Sequence, residues 1–124
     1  MNMATAVRTV LGKYVTFTGR ASRPEYWWWI LAMVLLFIIL GLVDGALLAP
    51  VMGFEAFAPE AGQPLSMIAS LGILLPSVAV SVRRLHDTDR TGWWLLLGLI
   101  PVVGNIVLLI FYVQPGTAGD NRFG

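Results

Sequence analysis

Apolar and polar positions divide this chain into one short amphipathic block and three long apolar ones. Met3, Val7, Val10, Leu11, Tyr14 and Phe17 recur at helical spacing, with Arg8, Thr9, Gly12, Lys13 and Thr16 mainly between them. That pattern predicts an amphipathic helix, and its cationic side suits a membrane surface. Gly19 breaks it. Ser22 and Glu25 then have capping-box spacing, in which the serine hydroxyl accepts from the N–H at Glu25 and the glutamate reaches back. Pro24 falls in the first turn, where a missing N–H is harmless. Tyr26, Trp27, Trp28 and Trp29 form an aromatic belt at the start of an apolar run from about Arg23 to about Leu48. Gly41 and Gly45 are spaced GxxxG, which permits close helix packing, and Asp44 lies between them.

The second apolar run, about Leu65 to Val82, follows a loop with Pro50, Gly53, Pro59, Gly62 and Pro64. Ser66, Ser70, Ser77 and Ser81 share one helical face, predicted to turn toward other helices. Pro76 lies within the run and deprives the carbonyl of Gly72 of its usual donor. The third run, Trp93 to about Val113, holds no charged residue and is interrupted by Pro101, Gly104 and Asn105. About 20 apolar residues are needed to cross roughly 30 Å of hydrocarbon. The expected fold is therefore an all-α membrane protein. An N-terminal amphipathic interfacial helix precedes three transmembrane helices, the third broken or kinked near Pro101–Asn105. Residues 1–124 read as a single multi-pass membrane domain.

Lysine and arginine set the orientation. Arg8, Lys13, Arg20 and Arg23 precede the first span, and Arg83, Arg84 and Arg90 lie in the Arg83–Gly92 loop. The loop between the first two spans has none. The positive-inside rule puts the N-terminus and the Arg83–Gly92 loop in the cytoplasm. Three full crossings then place the tail outside, which is the expectation; a re-entrant third segment would return it inside.

Composition narrows the function classes. Of the 124 residues, 57% are hydrophobic and 12% charged, against about a quarter charged in soluble domains. The net charge of +1 gives no basic field for nucleic acid. Absence of cysteine removes disulfides, thiolate metal sites and cysteine nucleophiles. The first apolar run begins too late and runs too long for a simple secretory signal, so it reads as a retained span.

The candidate chemistry lies in Arg83, Arg84, His86, Asp87, Asp89 and Arg90. Paired arginines beside a bilayer present bidentate forks to lipid phosphates, and histidine titrates near neutral pH. The competing reading is a topology anchor with locally paired charges. One histidine and two aspartates fall short of a zinc set, and no nucleophile has a recognisable setting, so no metal, cofactor or catalytic residue is expected. Asp44, about 18 residues past Tyr26, is expected near the far interface, within reach of water.

Three motifs occur in order: GRASRPEYWWW at Gly19–Trp29, RRLHDTDRTGWW at Arg83–Trp94 and PGTAGDNRFG at Pro115–Gly124. Together they resemble the domain-of-unknown-function 805 family of small bacterial inner-membrane proteins. The resemblance implies a multi-pass membrane protein and carries no established reaction. By motif, Arg20, Arg23, Glu25, Arg83, Arg84, His86, Asp87, Gly116, Gly119, Asn121 and Arg122 occupy the family's polar signature. The expected function is non-enzymatic: a cytoplasmic polar face, also including Asp89 and Arg90, that binds anionic lipid head groups or a partner protein. The alternative is an oligomeric transporter or channel using the serine face, the proline breaks and Asp44.

Overall fold

The computed structural model describes residues 2–124, and these are helical, with no strand among the described residues. The helix α1 spans Met3–Gly12, α2 spans Arg23–Val43, α3 spans Pro64–Asp87 and α4 spans Val103–Val113. A π-helical stretch, Asp44–Leu48, and a short turn, Ala49–Val51, continue α2, so the helical path runs from Arg23 to Val51. It and α3 are both long and apolar enough to cross a membrane. Only 11% of the most apolar window of the first is buried. Leu31, Val34, Leu35, Ile38, Ile39 and Leu42 all face outward. A soluble core helix would bury such a surface, so lipid is its natural solvent.

Contacts divide the chain into two compact units. The first comprises Met1–Ile30 and Leu75–Gly124, and the second comprises Leu31–Leu74.

In the first unit, α1 starts at Asn2, whose side-chain oxygen accepts from the N–H of Thr5 at 2.9 Å. It ends at Gly12, before Tyr14 and Phe17, and buries Ala6 and Val10 while leaving Leu11 exposed. The buried stripe is thus narrower than the six apolar positions suggested. The helix α2 opens as half of a capping box. The N–H of Glu25 donates to the Ser22 hydroxyl at 3.3 Å, but the Glu25 carboxylate is engaged elsewhere, by Arg83.

The helix α3 runs unbroken through Pro76 and continues five residues past Val82. Arg83, Arg84, His86 and Asp87 are therefore helical, not part of a loop. The helix stops where Asp89 adopts φ +60°. The N–H of Arg90 then reaches the carbonyl of Leu85, and that of Asp89 reaches His86, both at 2.9 Å. This is a Schellman ending with aspartate in the position glycine usually takes, and aspartate tolerates the left-handed region better than most residues.

The third apolar run folds as a helical hairpin. Gly92–Leu99 is a 3₁₀ helix, Ile100–Val102 is the break, and α4 returns. Runs of 3₁₀ helix beyond 3–4 residues are uncommon. The two arms meet closely: a Cβ at Gly104 would fall 1.7 Å from the carbonyl oxygen of Leu97, so only glycine fits. The hairpin's ends meet too. The Arg90 guanidinium lies 3.9 Å from the Phe111 ring centroid, and Trp94 packs edge-on to Phe111 at 5.7 Å. Each arm is about 16 Å long by its rise per residue. The outer ends of the two arms therefore lie side by side.

In the second unit the helical path ends at Val51 in another Schellman motif. Gly53, at φ +89°, donates to Pro50, and Phe54 donates to Ala49. Gly45 makes its close approach to the Phe57 ring rather than to a second helix, and Gly41 borders open space.

Candidate functional site

Four segments of the first unit converge on the last turn of α3: residues 19–21, the start of α2, the end of α4 and the C-terminal tail. The side chain of Arg84 is fully buried and uses every edge of its guanidinium. Its Nε donates to the Tyr112 carbonyl at 3.1 Å. Its Nη1 donates to the Ala21 carbonyl at 3.2 Å and to Asp87 Oδ2 at 2.6 Å, and Nη2 donates to the Gln114 carbonyl. One side chain thus ties the entry to α2, the exit from α4 and its own helix. Such a hub needs arginine, because lysine lacks the planar fork.

Arg20 repeats the arrangement from the other side of the same carboxylate. Its Nε donates to Asp87 Oδ1 at 2.8 Å, while Nη2 and Nη1 donate to the Thr117 and Gly119 carbonyls, each at 2.6 Å. Asp87 therefore bridges two arginines, and its backbone carbonyl also accepts from Thr117 at 2.7 Å. The tail presses against it: a Cβ on Gly116 would stand 2.0 Å from Asp87 Oδ2. Asn121 donates to the His86 carbonyl at 2.8 Å. Nδ1 of His86 lies 2.9 Å from the Gly19 carbonyl oxygen, which only accepts, so Nδ1 carries a proton. The imidazole stacks on the Phe123 ring, their centroids 3.9 Å apart and their planes nearly parallel.

Arg83 is also fully buried and pairs with Glu25 at 2.6 Å. Its Nε and Nη2 have no acceptor among the described residues. The main chain nearby is satisfied, since Ala21 N–H donates to the Arg83 carbonyl at 2.9 Å. At the rim, Arg122 pairs with Asp89 at 3.1 Å, and that contact holds the Asp89 carboxyl below its ordinary pKa.

The sequence motifs therefore meet. Arg20, Glu25, Arg83, Arg84, His86, Asp87, Asp89, Asn121 and Arg122 form one network. Arg23 and Arg90 sit beside it: Arg23 makes one long contact, 3.4 Å to the Val113 carbonyl, and Arg90 stacks on Phe111 without a carboxylate partner. Arg83 and Arg84, the forks expected to face lipid phosphates, are turned inward and have no exposed surface. Burial of charge in the last turn of a helix requires such internal pairing. Sequence reasoning missed the acceptors, because backbone carbonyls of Ala21, Tyr112 and Gln114 carry no side-chain signature.

The second unit holds one further buried charge. Asp44 is fully buried, not at a watered interface as expected, and accepts three hydrogen bonds. They come from Leu65 N–H at 3.0 Å, and from Ser66 N–H and Ser66 hydroxyl, each at 2.9 Å. Pro64 opens α3 without an N–H, so Asp44 takes the next two amides of that first turn. Ser66 thus serves Asp44, while Ser77 accepts from Trp29 at 3.2 Å. Ser70 and Ser81 return their protons to carbonyls of their own helix.

Among the described residues no three His, Asp or Glu side chains gather to hold a metal ion. The architecture is that of a small helical membrane protein with an internally paired polar cap. The comparisons agree with that class. A family model described as "Protein of unknown function (DUF805)" matches residues 14–124, and the chain belongs to that family. It is 45% identical over 115 residues to inner membrane protein YhaH of Escherichia coli K12, covering 93% of this chain and 89% of that one. It is 40% identical over 119 residues to inner membrane protein YhaI of the same strain, covering 94% and 89%. No solved structure matches.

Proposed function

We propose that this chain is a non-enzymatic integral inner-membrane protein whose cytoplasmic cap engages anionic lipid head groups through its unpaired cations. The observation that carries the proposal is the charge distribution. All eight lysines and arginines, but only four of the seven acids, belong to the first unit. Within it, Arg20, Arg83, Arg84 and Arg122 are taken by carboxylates. Arg8, Lys13, Arg23 and Arg90 have no carboxylate partner among the described residues, and the first three are exposed. Exposed Leu11, Tyr14, Val15 and Phe17 flank Lys13, which is the composition of an interfacial segment. The paired arginines thus build the cap, and the others face the membrane. In this reading α2 with its continuation and α3 cross the bilayer, and the Gly92–Val113 hairpin enters and leaves on the cytoplasmic side.

The test is lipid retention. The triple variant Arg8→Gln, Lys13→Gln, Arg23→Gln, purified in mild detergent, should retain less phosphatidylglycerol by native mass spectrometry than the parent. Each basic residue near a charged surface contributes about 1 kcal/mol. Equal retention in a folded variant would remove the proposal. A partner protein docking on the same cap is the other outcome. An oligomeric transporter or channel is the second reading, favoured by the broken hairpin, since interrupted helices at membrane depth recur in transporters.

A further inference from the structure

We infer that the 3₁₀ arm of the hairpin binds one diacyl phospholipid with an anionic head group. Arg90 and Thr91 hold its phosphate, and its two chains lie in the two grooves that flank Trp93 and Leu96. The inference rests on the reading above, in which the hairpin enters the bilayer from the cap side, and it names the site of one lipid.

The grooves follow from the type of helix. In a 3₁₀ helix residues i and i+3 eclipse, so side chains stand in straight rows along the axis. The rows of an α-helix, as in α2 and α3, run inclined to it. Trp93, Leu96 and Leu99 make the outward row of this arm and are exposed. The row Trp94, Leu97 and Ile100 lies on one side. With Thr91, Trp93 and Leu96 it lines a groove of about 430 Å³. Gly92 and Leu95 lie on the other side. With Thr91, Trp93, Leu96 and the α3 residues Val78 and Val82 they line a groove of about 510 Å³, closed at the cap by His86. Glycine at 92 lets the arm lie against α3, since a Cβ there would stand 2.9 Å from Val82 Cγ1. Both grooves have the size of ligand clefts, about 300–1,000 Å³. The arm is about 16 Å long by its rise, which is the depth of one leaflet, about half of the 30 Å of hydrocarbon.

The two grooves share Thr91, and the groups at that shared end are unspent. Arg90 is half-buried with one face on the Phe111 ring, and it forms no ion pair or side-chain hydrogen bond among the described residues. A guanidinium stacked on a ring keeps its N–H edges free in its own plane, where they fit a phosphate bidentately. The main-chain N–H groups of Thr91, Gly92 and Trp93 also donate to no group among the described residues. The carboxylates of the preceding turn are occupied: Asp87 by Arg20 and Arg84, and Asp89 by Arg122. An arriving phosphate therefore meets positive charge without a free acid beside it. The chemistry selects the occupant. Inorganic phosphate would leave both grooves empty, and a single-chain amphiphile would leave one. A two-chain anionic lipid fills both and balances the charge of Arg90.

The test titrates the protein in mild detergent with dioleoyl phosphatidylglycerol and with its one-chain lyso form, read by native mass spectrometry. The parent should bind one two-chain lipid more tightly than the lyso form. Arg90→Gln should weaken that binding about fivefold. Val78→Trp, which fills one groove, should bring the two-chain lipid down to the level of the lyso form. Leu71→Trp, on α3 outside both grooves, should change neither. Unchanged binding in Arg90→Gln overturns the inference, as does an equal loss in Val78→Trp and Leu71→Trp, or displacement of the lipid by inorganic phosphate. If Val78→Trp fails to fold, Arg90→Gln and the comparison of one chain with two still decide. The triple variant of Arg8, Lys13 and Arg23 separates the two ideas. Binding lost there but kept in Arg90→Gln removes this site and leaves the exposed cations as the lipid contact. The reverse pattern removes the exposed cations and leaves this site.

Discussion

Asp44 and Asp87 are both carboxylates held against α3, yet they meet opposite kinds of partner. Asp44 faces the first turn of that helix and takes only neutral donors: two backbone amides and one hydroxyl. Asp87 lies in the last turn and takes two guanidiniums, from Arg20 and Arg84. The helix dipole explains the difference. Its N-terminus carries partial positive charge and stabilises a carboxylate unaided, whereas its C-terminus repels one. An acid in the last turn therefore needs cations, and cations buried there need every donor matched. That requirement gathers the tail, the α4 exit and residues 19–21 around Arg84. The second unit solves its buried charge with one turn of backbone, and needs no other chain segment to do so.

The largest expected effect breaks the ionic side of this comparison. Glu25→Leu leaves Arg83 buried with no acceptor for its guanidinium, since Nε and Nη2 already lack one among the described residues. Removing one partner of a buried pair destabilises by about 3–5 kcal/mol. The double variant Glu25→Leu, Arg83→Met should recover most of that loss, because an apolar pair needs no desolvation. Thermal unfolding in detergent gives the cycle. A single variant within 1 kcal/mol of the parent would show that Arg83 finds water or another acceptor.

Next is the backbone-capped side. Asp44→Ala removes three hydrogen bonds to a charged acceptor, each worth about 1.5–3 kcal/mol, part of which relaxation returns. We expect a net loss of about 2–3 kcal/mol, and a smaller one for Asp44→Asn, whose carbonyl still accepts from one amide. The two sides also separate by salt. The Asp44 variants should shift equally at low and high ionic strength, because the donors are neutral and the site is sealed. A strong salt dependence would mean that water reaches Asp44 after all.

These two sites were not equally legible in the sequence. The cluster could be anticipated because its motifs carry charged side chains, and the helical character of the long apolar runs followed from their length. The boundary of α3 was misjudged, since the density of charge from Arg83 onward reads as loop. In the structure Arg20, Glu25 and Asp87 neutralise those charges and let the helix continue to Asp87. The hairpin was hidden for a different reason. A break at Pro101–Asn105 is visible in the residues, but whether the chain then goes on or turns back depends on Arg90 meeting Phe111, a tertiary contact. Asp44 was seen as a charge, and its role as a cap was not, because its partners are 21 and 22 residues away and mostly main chain.

Glycine substitutions sharpen the comparison at smaller scale. A Cβ at Gly116 meets the Asp87 carboxylate at 2.0 Å, and one at Gly45 meets the Phe57 ring at 2.1 Å. Gly116→Ala must displace a group fixed by two arginines, so we expect about 1–3 kcal/mol of destabilisation and faster proteolysis of the tail. Gly45→Ala should be milder, because an exposed phenylalanine can rotate aside. Gly41→Ala meets nothing within 4 Å and should stabilise by up to about 1 kcal/mol through helix propensity. Equal losses at 41 and 45 would show that this helix face packs against another molecule.

The smallest effect lies at the rim, where Asp89 and Arg122 are both largely exposed. Their pair shows what the buried network gains from exclusion of water, because the same charges at the surface are screened. The Asp89 carboxyl is held below its ordinary value chiefly by the Arg122 hydrogen bond. An acid so lowered contributes stability that is fully present above its unfolded value, about 3.9, and disappears as pH falls through the lower folded value. Between pH 5 and 8 this pair should therefore give no pH dependence. Arg122→Gln should raise the Asp89 titration toward about 3.9, followed through its carboxyl carbon by NMR in detergent. The tail should stay docked in that variant, because Arg20, Arg84 and Asn121 still hold it. An unmoved titration would assign the lowered value to the main-chain N–H of residue 122, which the variant keeps, and to the weaker, longer-range charge of Arg20. Loss of the whole tail would instead show that the rim pair, and not the buried arginines, fastens it.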